Sequence, residues 1–273
     1  MEILTNFLYQ MLFTVGLVVL FGSVIAFCRW LFVRLLGMAG YRTLLCTGII
    51  GTPVHELSHA LMCLIFGHKI TEIKLYDPSG NGGALGYVAH SYHKKNIYHQ
   101  IGNFFIGIAP IVVGSGVLLL LMLIFIPDIQ ANVVNDIKAS LVIFSGVADG
   151  NTISAYISLI WAIVKDIFSF SYFGNARWWV FFVLAVMISS HMELSPADIK
   201  GGARGFLYIS AILLAVDVVV GLISKSALSA ITSAMSFASL YIAGFLWLSA
   251  VFSVSLVVIA LLLRGIKRLF GGR

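Results

Sequence analysis

Residues 51–60 read Gly-Thr-Pro-Val-His-Glu-Leu-Ser-His-Ala and place three ionisable side chains, His55, Glu56 and His59, inside an apolar segment. From residue 43 to residue 66 the chain has no Lys, Arg or Asp, and Glu56 is the only acidic residue. About 20 such residues are enough to cross a bilayer as a helix. Because ionisable groups are costly within a membrane, a Glu beside two His at that depth indicates a functional site.

The spacing His-Glu-x-x-His is typical of a helix that binds a catalytic metal ion. Side chains at positions i and i+4 of a helix lie on the same face, so His55 and His59 can bind one ion. Glu56 can then reach a water on that ion and act as a general base. The alternative is a pair of buried histidines capped by Glu56, without a metal.

The composition of the whole chain indicates an integral membrane protein. Of its 273 residues 60% are hydrophobic and 10% are charged, with a mean hydropathy of +1.03, whereas soluble domains carry about 25% charged residues. The net charge is +6, but the basic residues lie singly or in pairs between apolar runs, as membrane-flanking anchors do. We therefore predict a single all-α polytopic domain over residues 1–273, located in the lipid bilayer of the cell membrane, that does not bind nucleic acid.

Apolar segments predict about six to seven transmembrane helices, the first over residues 4–28 and the last over residues 237–263. Residues 137–168 are compatible with one span or with two shorter helices. Residues 224–236, rich in Ser and Ala, predict a linker or a surface helix. Within the motif span, Pro53 predicts that the helix either kinks or starts afresh just ahead of His55.

A β-hairpin is predicted over residues 70–92, directly after the motif helix. Residues 70–76 and 85–90 have strand-like composition, and residues 77–83 form a dense turn signal. An open sheet edge cannot face lipid, so the hairpin must lie at the membrane interface or in a protein-lined cavity. A free edge there could pair with an extended peptide, and Ile73, Leu75 and Tyr87 are our candidates for substrate binding.

The other cysteine and histidine side chains have structural interpretations that involve no metal. The three cysteines all fall in apolar segments without a Cys-x-x-Cys pair, and we interpret them as small buried apolar side chains. His68 does not fit the extended metzincin spacing. We interpret His90, His93 and His99 as interfacial residues near Lys94 and Lys95.

A catalytic zinc site usually has three protein ligands, so the two histidines need a third from a different helix. The candidates near apolar segments are Asp149, Asp166, His191, Glu193, Asp198 and Asp217. Asp198 is favoured because Pro196 and the following glycines predict irregular backbone that could present it into a cavity, and Asp149 is next. We interpret Asp217 as a structural residue for helix packing or for pairing with Lys225, and His191 and Glu193 as residues that either orient the ligands or end a span.

In these segments the chain resembles the site-2 protease-like intramembrane zinc metalloproteases (peptidase family M50). The resemblance rests on the motif within a span, on the Phe-Gly step and strand-like residues 66–75 that follow it, on residues 107–110, and on the segment from Ser195 to Gly202. Asp198 matches the family's third ligand, although Ile199 replaces the Gly that usually follows. The resemblance assigns the metalloprotease core to residues 43–126 and 190–206.

The resemblance implies a zinc metalloendopeptidase that hydrolyses a peptide bond in or next to a transmembrane segment of a membrane-protein substrate. His55, His59 and Asp198 would hold the zinc, and Glu56 would be the general base. The substrate helix would have to unwind locally. Three alternatives remain: a catalytically silent relative with a binding or regulatory role, an ion or solute transporter that uses intramembrane His and Asp, and a prenyl-protein protease with Glu193 as a ligand.

Overall fold

The computed structural model describes residues 2–79, 84–143 and 150–270. Helices dominate the described residues, and one small antiparallel sheet follows the third helix. The helices are α1 (Glu2–Met11), α2 (Leu17–Leu36), α3 (Met38–Ile65), α4 (Ile97–Phe125), α5 (Pro127–Ile143), α6 (Gly150–Ile167), α7 (Ala176–Ser189), α8 (Pro196–Ile223) and α9 (Lys225–Phe270). A π-helical turn, Leu12–Gly16, joins α1 to α2, and a 3-10 turn, Phe170–Tyr172, precedes α7.

The predicted class, an all-α polytopic membrane protein with a small β-hairpin, is confirmed. Among the described residues, five helical segments are long and apolar enough to cross a membrane: Glu2–Leu36, Ile97–Phe125, Ile153–Tyr172, Pro196–Ile223 and Lys225–Leu269. Two further candidates are the motif helix α3, whose polar motif lowers its hydropathy, and the shorter apolar helix α7. Counting them gives seven, the upper end of the predicted six to seven transmembrane helices. Whether these two helices also cross a bilayer stays a prediction.

Helix α3 runs through Pro53 without a break, so of the two predicted alternatives, a kink or a fresh start, the fresh start is wrong. Thr52 lies buried within the helix and does not cap a new one. Pro53 removes one backbone hydrogen bond, but packed residues on both sides of it, including Leu44 and Cys63, hold the helix in place. Neighbouring helices commonly stabilise a proline within a membrane helix in this way.

Two other segments differ from or refine the prediction. Within the range predicted as one span or two shorter helices, residues 137–143 belong to α5 and residues 150–167 belong to α6. In the segment 224–236, predicted as a linker or surface helix, residues 225–236 form the first part of the continuous helix α9. The linker alternative is therefore wrong. The segment is a helix that buries Leu228, Thr232 and Ser236 while most of its other residues are exposed, so tertiary packing overrides its polar composition.

Close packing of α4 against α8 positions the start of α8. A Cβ at Gly107 of α4 would lie 2.7 Å from the backbone oxygen of Asp198, and a Cβ at Gly205 of α8 would lie 2.7 Å from the backbone nitrogen of Phe104. Small residues at such contacts let two membrane helices approach closely. Since α4 also packs against α3, the first turn of α8 is brought beside the motif helix.

The predicted hairpin consists of β1 (Lys69–Lys74) and β2 (Tyr87–Ser91), paired antiparallel with a register shift between Ile70 and Glu72. Residues 80–83, the tip of its predicted turn, lie outside the described residues. The hairpin contacts α3. It therefore lies beside the helix that carries the motif.

Candidate metal centre

The two motif histidines converge on one point. His55 and His59 lie one turn apart on α3, and their Nε2 atoms are 3.1 Å apart. Their rings meet edge to face, with centroids 4.8 Å apart. The spacing therefore places both imidazoles on one face of the helix, as the sequence predicts.

Backbone carbonyls fix the tautomer of both rings. The Nδ1 atom of His55 lies 2.6 Å from the carbonyl oxygen of His191, and Nδ1 of His59 lies 2.7 Å from that of Ile106. A carbonyl oxygen can only accept a hydrogen bond, so each Nδ1 carries the proton and donates it. In neutral rings the two Nε2 atoms then face each other with lone pairs. The two lone pairs repel each other when no cation lies between them, so the arrangement is well suited to holding a cation.

Asp198 joins these nitrogens from α8. Its Oδ1 atom is 3.3 Å from Nε2 of His59, and its Oδ2 atom is 4.0 Å from Nε2 of His55. Asp198 and Ser195 form a capping box: Ser195 N–H donates to Oδ2 at 2.8 Å, and Asp198 N–H donates to Ser195 Oγ at 3.1 Å. The carboxylate is thus oriented by the regular start of a helix with Pro196 in its first turn. The expectation that irregular backbone presents Asp198 is wrong, because Pro is well tolerated at that position.

The donor set fits a zinc ion. Zn–N and Zn–O bonds of about 2.0–2.2 Å in a tetrahedral site place neighbouring ligand atoms about 3.3–3.5 Å apart. The observed separations of 3.1, 3.3 and 4.0 Å bracket that value. Two neutral imidazoles and one carboxylate form a common ligand set for catalytic zinc, which leaves a fourth position for water.

Glu56 lies beside this cluster and lines the same cavity of about 650 Å³. Its side chain is buried, with 6% of the residue exposed. Gly86, just before β2, packs directly on it: a Cβ there would lie 2.9 Å from Glu56 Cγ and 2.8 Å from the backbone oxygen of Lys74. The absence of a side chain at Gly86 therefore lets the hairpin approach the motif helix closely.

The other candidates for the third ligand lie in different settings. Asp149 falls outside the described residues. Asp217 is fully buried, and its Oδ1 atom accepts a hydrogen bond from Gln10 at 3.0 Å; Lys225, its suggested partner, pairs with Glu2 instead. These contacts give Asp217 the structural environment that the sequence predicts.

His191 and Glu193 both line the cavity. His191 supports His55 through its carbonyl oxygen, and its Nε2 atom lies 3.0 Å from Thr47 Oγ1. Glu193 forms an ion pair with Arg29. The carboxylate is thus engaged by a cation and is not a member of the ligand cluster.

The predicted substrate-binding residues divide into two groups. Tyr87 lines the cavity, whereas Ile73 and Leu75 are exposed and do not. The hairpin is further held by Tyr87 O–H donating to Glu72 and by an ion pair between Lys74 and Asp77 at 2.5 Å. Hydrogen bonds from Lys74 and from Ser79 lower the pKa of the half-buried Asp77 carboxyl to about 2.

Sequence reasoning missed several residues of the cavity. Arg29 belongs to the basic residues whose position between apolar runs indicates only membrane-flanking anchors, and Gly86 carries no chemical signal of its own. The capping box, by contrast, is visible in the sequence as Ser-x-x-Asp ahead of an apolar run. That pattern would have identified Ser195 as the residue that orients Asp198.

The fold and this centre define a membrane-embedded protein with the ligand set of a zinc metallopeptidase. Residues 48–148 match the model of a protein family described as "Putative zincin peptidase". The matched segment, less than half of the chain, includes His55, Glu56, His59 and the hairpin but not Asp198. It supports a zinc metallopeptidase without assigning it to the site-2 type. No curated protein and no solved structure matches the chain.

Proposed function

We propose that this protein is an intramembrane zinc metalloprotease of the site-2 type, which hydrolyses a peptide bond in or next to a transmembrane segment of a membrane-protein substrate. The observation that carries the proposal is the convergence of His55, His59 and Asp198 beside Glu56, in a cavity formed by apolar helices. A complete ligand set together with a general base argues against a catalytically silent relative. An ion or solute transporter would not need this combination of a metal-ligand set and a general base.

His55, His59 and Asp198 would hold the zinc. When bound, zinc lowers the pKa of a coordinated water towards about 7 and polarises the scissile carbonyl. His191 and Ile106 keep both imidazoles in the ligating tautomer through their carbonyl oxygens. Ser195 keeps the carboxylate of Asp198 aimed at His59.

Glu56 is the proton-transfer group of the proposal. It follows His55 directly on α3, lines the cavity, and is shielded by Gly86 and the hairpin. From there it takes a proton from the attacking water and delivers it to the leaving amine. Because Glu56 and His59 are buried, the charges that develop during reaction interact strongly with the nearby polar groups.

The hairpin supplies the surface for the substrate. Residues from Ala84 to Val88, and His90, line the cavity, and β2 pairs with β1 on one side only. A substrate helix that unwinds locally can add its extended segment to the other edge of β2. Its scissile bond would then lie between β2 and the ligands on α3.

The proposal is tested with the full chain in proteoliposomes and a panel of single-span substrates that carry helix-destabilising Gly and Pro residues in their spans. We expect cleavage within or beside the span, mapped by mass spectrometry, that stops when a zinc chelator is added and in Glu56→Gln. The matched control is Asp128→Asn, a carboxylate-to-amide change at an exposed residue of α5, which should cleave normally. Cleavage only of soluble unfolded polypeptides, or cleavage that survives Glu56→Gln, would overturn the proposal.

A further inference from the structure

A second cluster of metal-binding side chains lies one turn beyond His59. Cys63, His68 and His90 each offer a ligand atom, and these atoms all lie within 4.8 Å of one another. Cys63 is 0% exposed and His68 is 4% exposed, while His90 is half-buried and lines the catalytic cavity. Nothing in the spacing of the three residues along the sequence groups them, and the fold brings them together.

Local backbone structure places two of the three residues side by side. Cys63 follows His59 by four positions, so it continues the ligand-bearing face of α3. At the end of that helix Gly67 adopts a positive φ of 67°. His68 N–H then bonds to Cys63 O at 2.8 Å, and Gly67 N–H bonds to Leu64 O at 3.3 Å. This pair of bonds is a Schellman motif, and it folds His68 back onto Cys63.

The hairpin delivers the third residue. His90 lies in β2, opposite Ile70 of β1, and its Nδ1 atom is 3.0 Å from Nδ1 of His68. The register of the sheet therefore determines that His90, and not its neighbours, faces the end of α3, because successive side chains of a strand point to opposite faces.

The tautomer of His68 is fixed in the same way as those of His55 and His59. Its Nε2 atom lies 3.0 Å from the carbonyl oxygen of His99, so Nε2 carries the proton and Nδ1 presents a lone pair to the cluster. Histidines that bind metals commonly donate their other ring N–H to a carbonyl in this manner. A neutral imidazole nitrogen, a second imidazole and a buried thiol form a donor set suited to zinc.

We propose that Cys63, His68 and His90 form a second zinc site, separate from the catalytic one. Bonds of about 2.0–2.1 Å to nitrogen and about 2.3 Å to sulfur require ligand atoms about 3.3–3.6 Å apart, which small side-chain rotations provide. The ion ties β2 to the end of the motif helix. It thereby fixes the hairpin over the cavity that Glu56 lines.

The thiolate ligand allows the two sites to be distinguished. Full-length protein is purified in detergent, and its zinc is measured by mass spectrometry and then replaced by cobalt. A cysteine thiolate bound to Co²⁺ produces a near-ultraviolet charge-transfer band, which the cysteine-free catalytic site cannot give. We expect about two zinc ions per chain and a clear band in the wild type, the same band in His59→Ala, and no band in Cys63→Ser, with the zinc content halved.

The matched control is Cys46→Ser, which changes an exposed cysteine of the same helix and should leave both zinc content and band unchanged. His68→Ala should remove the band as Cys63→Ser does. If Cys63→Ser fails to fold, the presence or absence of the band in the wild type and in His59→Ala still tests whether the second site exists. A cobalt protein without the band, or a band that survives His68→Ala, would overturn the second site whether or not the protein proves to be a protease.

Discussion

Nε2 of His59 lies 3.3 Å from Oδ1 of Asp198, although the two residues belong to α3 and α8. Helix α4 packs against both of these helices. Two adjacent residues of α4 make these contacts. The carbonyl oxygen of Ile106 accepts a hydrogen bond from His59 on α3, and Gly107 lies against the backbone of Asp198 on α8. Asp198 is therefore positioned by α4 as much as by its own helix.

Glu56→Gln separates metal binding from proton transfer. The amide cannot take a proton from water, so we expect cleavage to fall by at least about 100-fold while zinc content is unchanged. His59→Ala should lose activity and catalytic zinc together, because it removes a ligand. The measurements are the cleavage rate and the zinc content of each purified variant. Normal activity in Glu56→Gln would refute the role of general base.

Gly107→Ala tests the positioning of Asp198. The new Cβ would lie 2.7 Å from the backbone oxygen of Asp198, so the start of α8 must move away from the histidines. We expect zinc affinity to fall by about 10- to 100-fold, as measured by competition with a chelating dye. Gly116→Ala on the same helix meets no atom within 4 Å and should bind zinc normally. Equal affinity in the two variants would contradict this role of α4.

Gly86→Ala tests the close contact between the hairpin and the general base. Its Cβ would lie 2.9 Å from Glu56 Cγ, which displaces either the strand or the carboxylate. Since the zinc ligands are untouched, we expect kcat to fall by about 10- to 100-fold at constant zinc content. The comparison is again with Gly116→Ala. A variant with full activity would show that the contact is not needed.

Gln10→Ala tests the buried polar contact that joins α1 to α8 and α9. Gln10 Nε2 donates to Asp217 Oδ1 at 3.0 Å and to Thr232 Oγ1 at 2.9 Å. Removing it leaves a buried carboxylate with one fewer donor, which should cost about 1–3 kcal/mol of unfolding free energy. Asn6→Ala on the same helix removes only an exposed bond and should change stability by less than about 0.5 kcal/mol. Thermal unfolding in detergent measures both.

The hairpin should keep its turn contact throughout the neutral pH range. Hydrogen bonds lower the pKa of Asp77 to about 2, so its stabilising effect is complete above the unfolded pKa of about 3.9 and is lost as the pH falls towards 2. A carboxyl-carbon NMR titration should give a depressed pKa for Asp77 that rises in Lys74→Ala. If the pKa of Asp77 were the same in both proteins, the ion pair with Lys74 would be irrelevant to the turn.

The sequence predicts those parts of the centre that depend on local periodicity. The spacing of His55, Glu56 and His59 alone places two imidazoles on one helix face, and the turn signal in residues 77–83 indicates the hairpin. The long-range parts needed tertiary information. The irregular backbone that the sequence predicts at Asp198 is not what orients this residue, because the capping box and the contact with α4 do so.

The second cluster could not be predicted from the sequence by the same reasoning. Cys63 falls in an apolar run, and its relation to His68 depends on the backbone conformation at Gly67. The approach of His90 depends on the strand register and on the seating of the hairpin against α3. Each of these is a packing outcome, and no spacing rule for metal ligands covers the combination.

The metal centre is tested most directly by anomalous scattering at the zinc absorption edge from crystals of the full chain. We predict a peak about 2.0–2.2 Å from His55 Nε2, His59 Nε2 and a carboxylate oxygen of Asp198, and its disappearance in His59→Ala. A fully occupied zinc elsewhere, with no peak between these three side chains, would contradict the metalloprotease assignment.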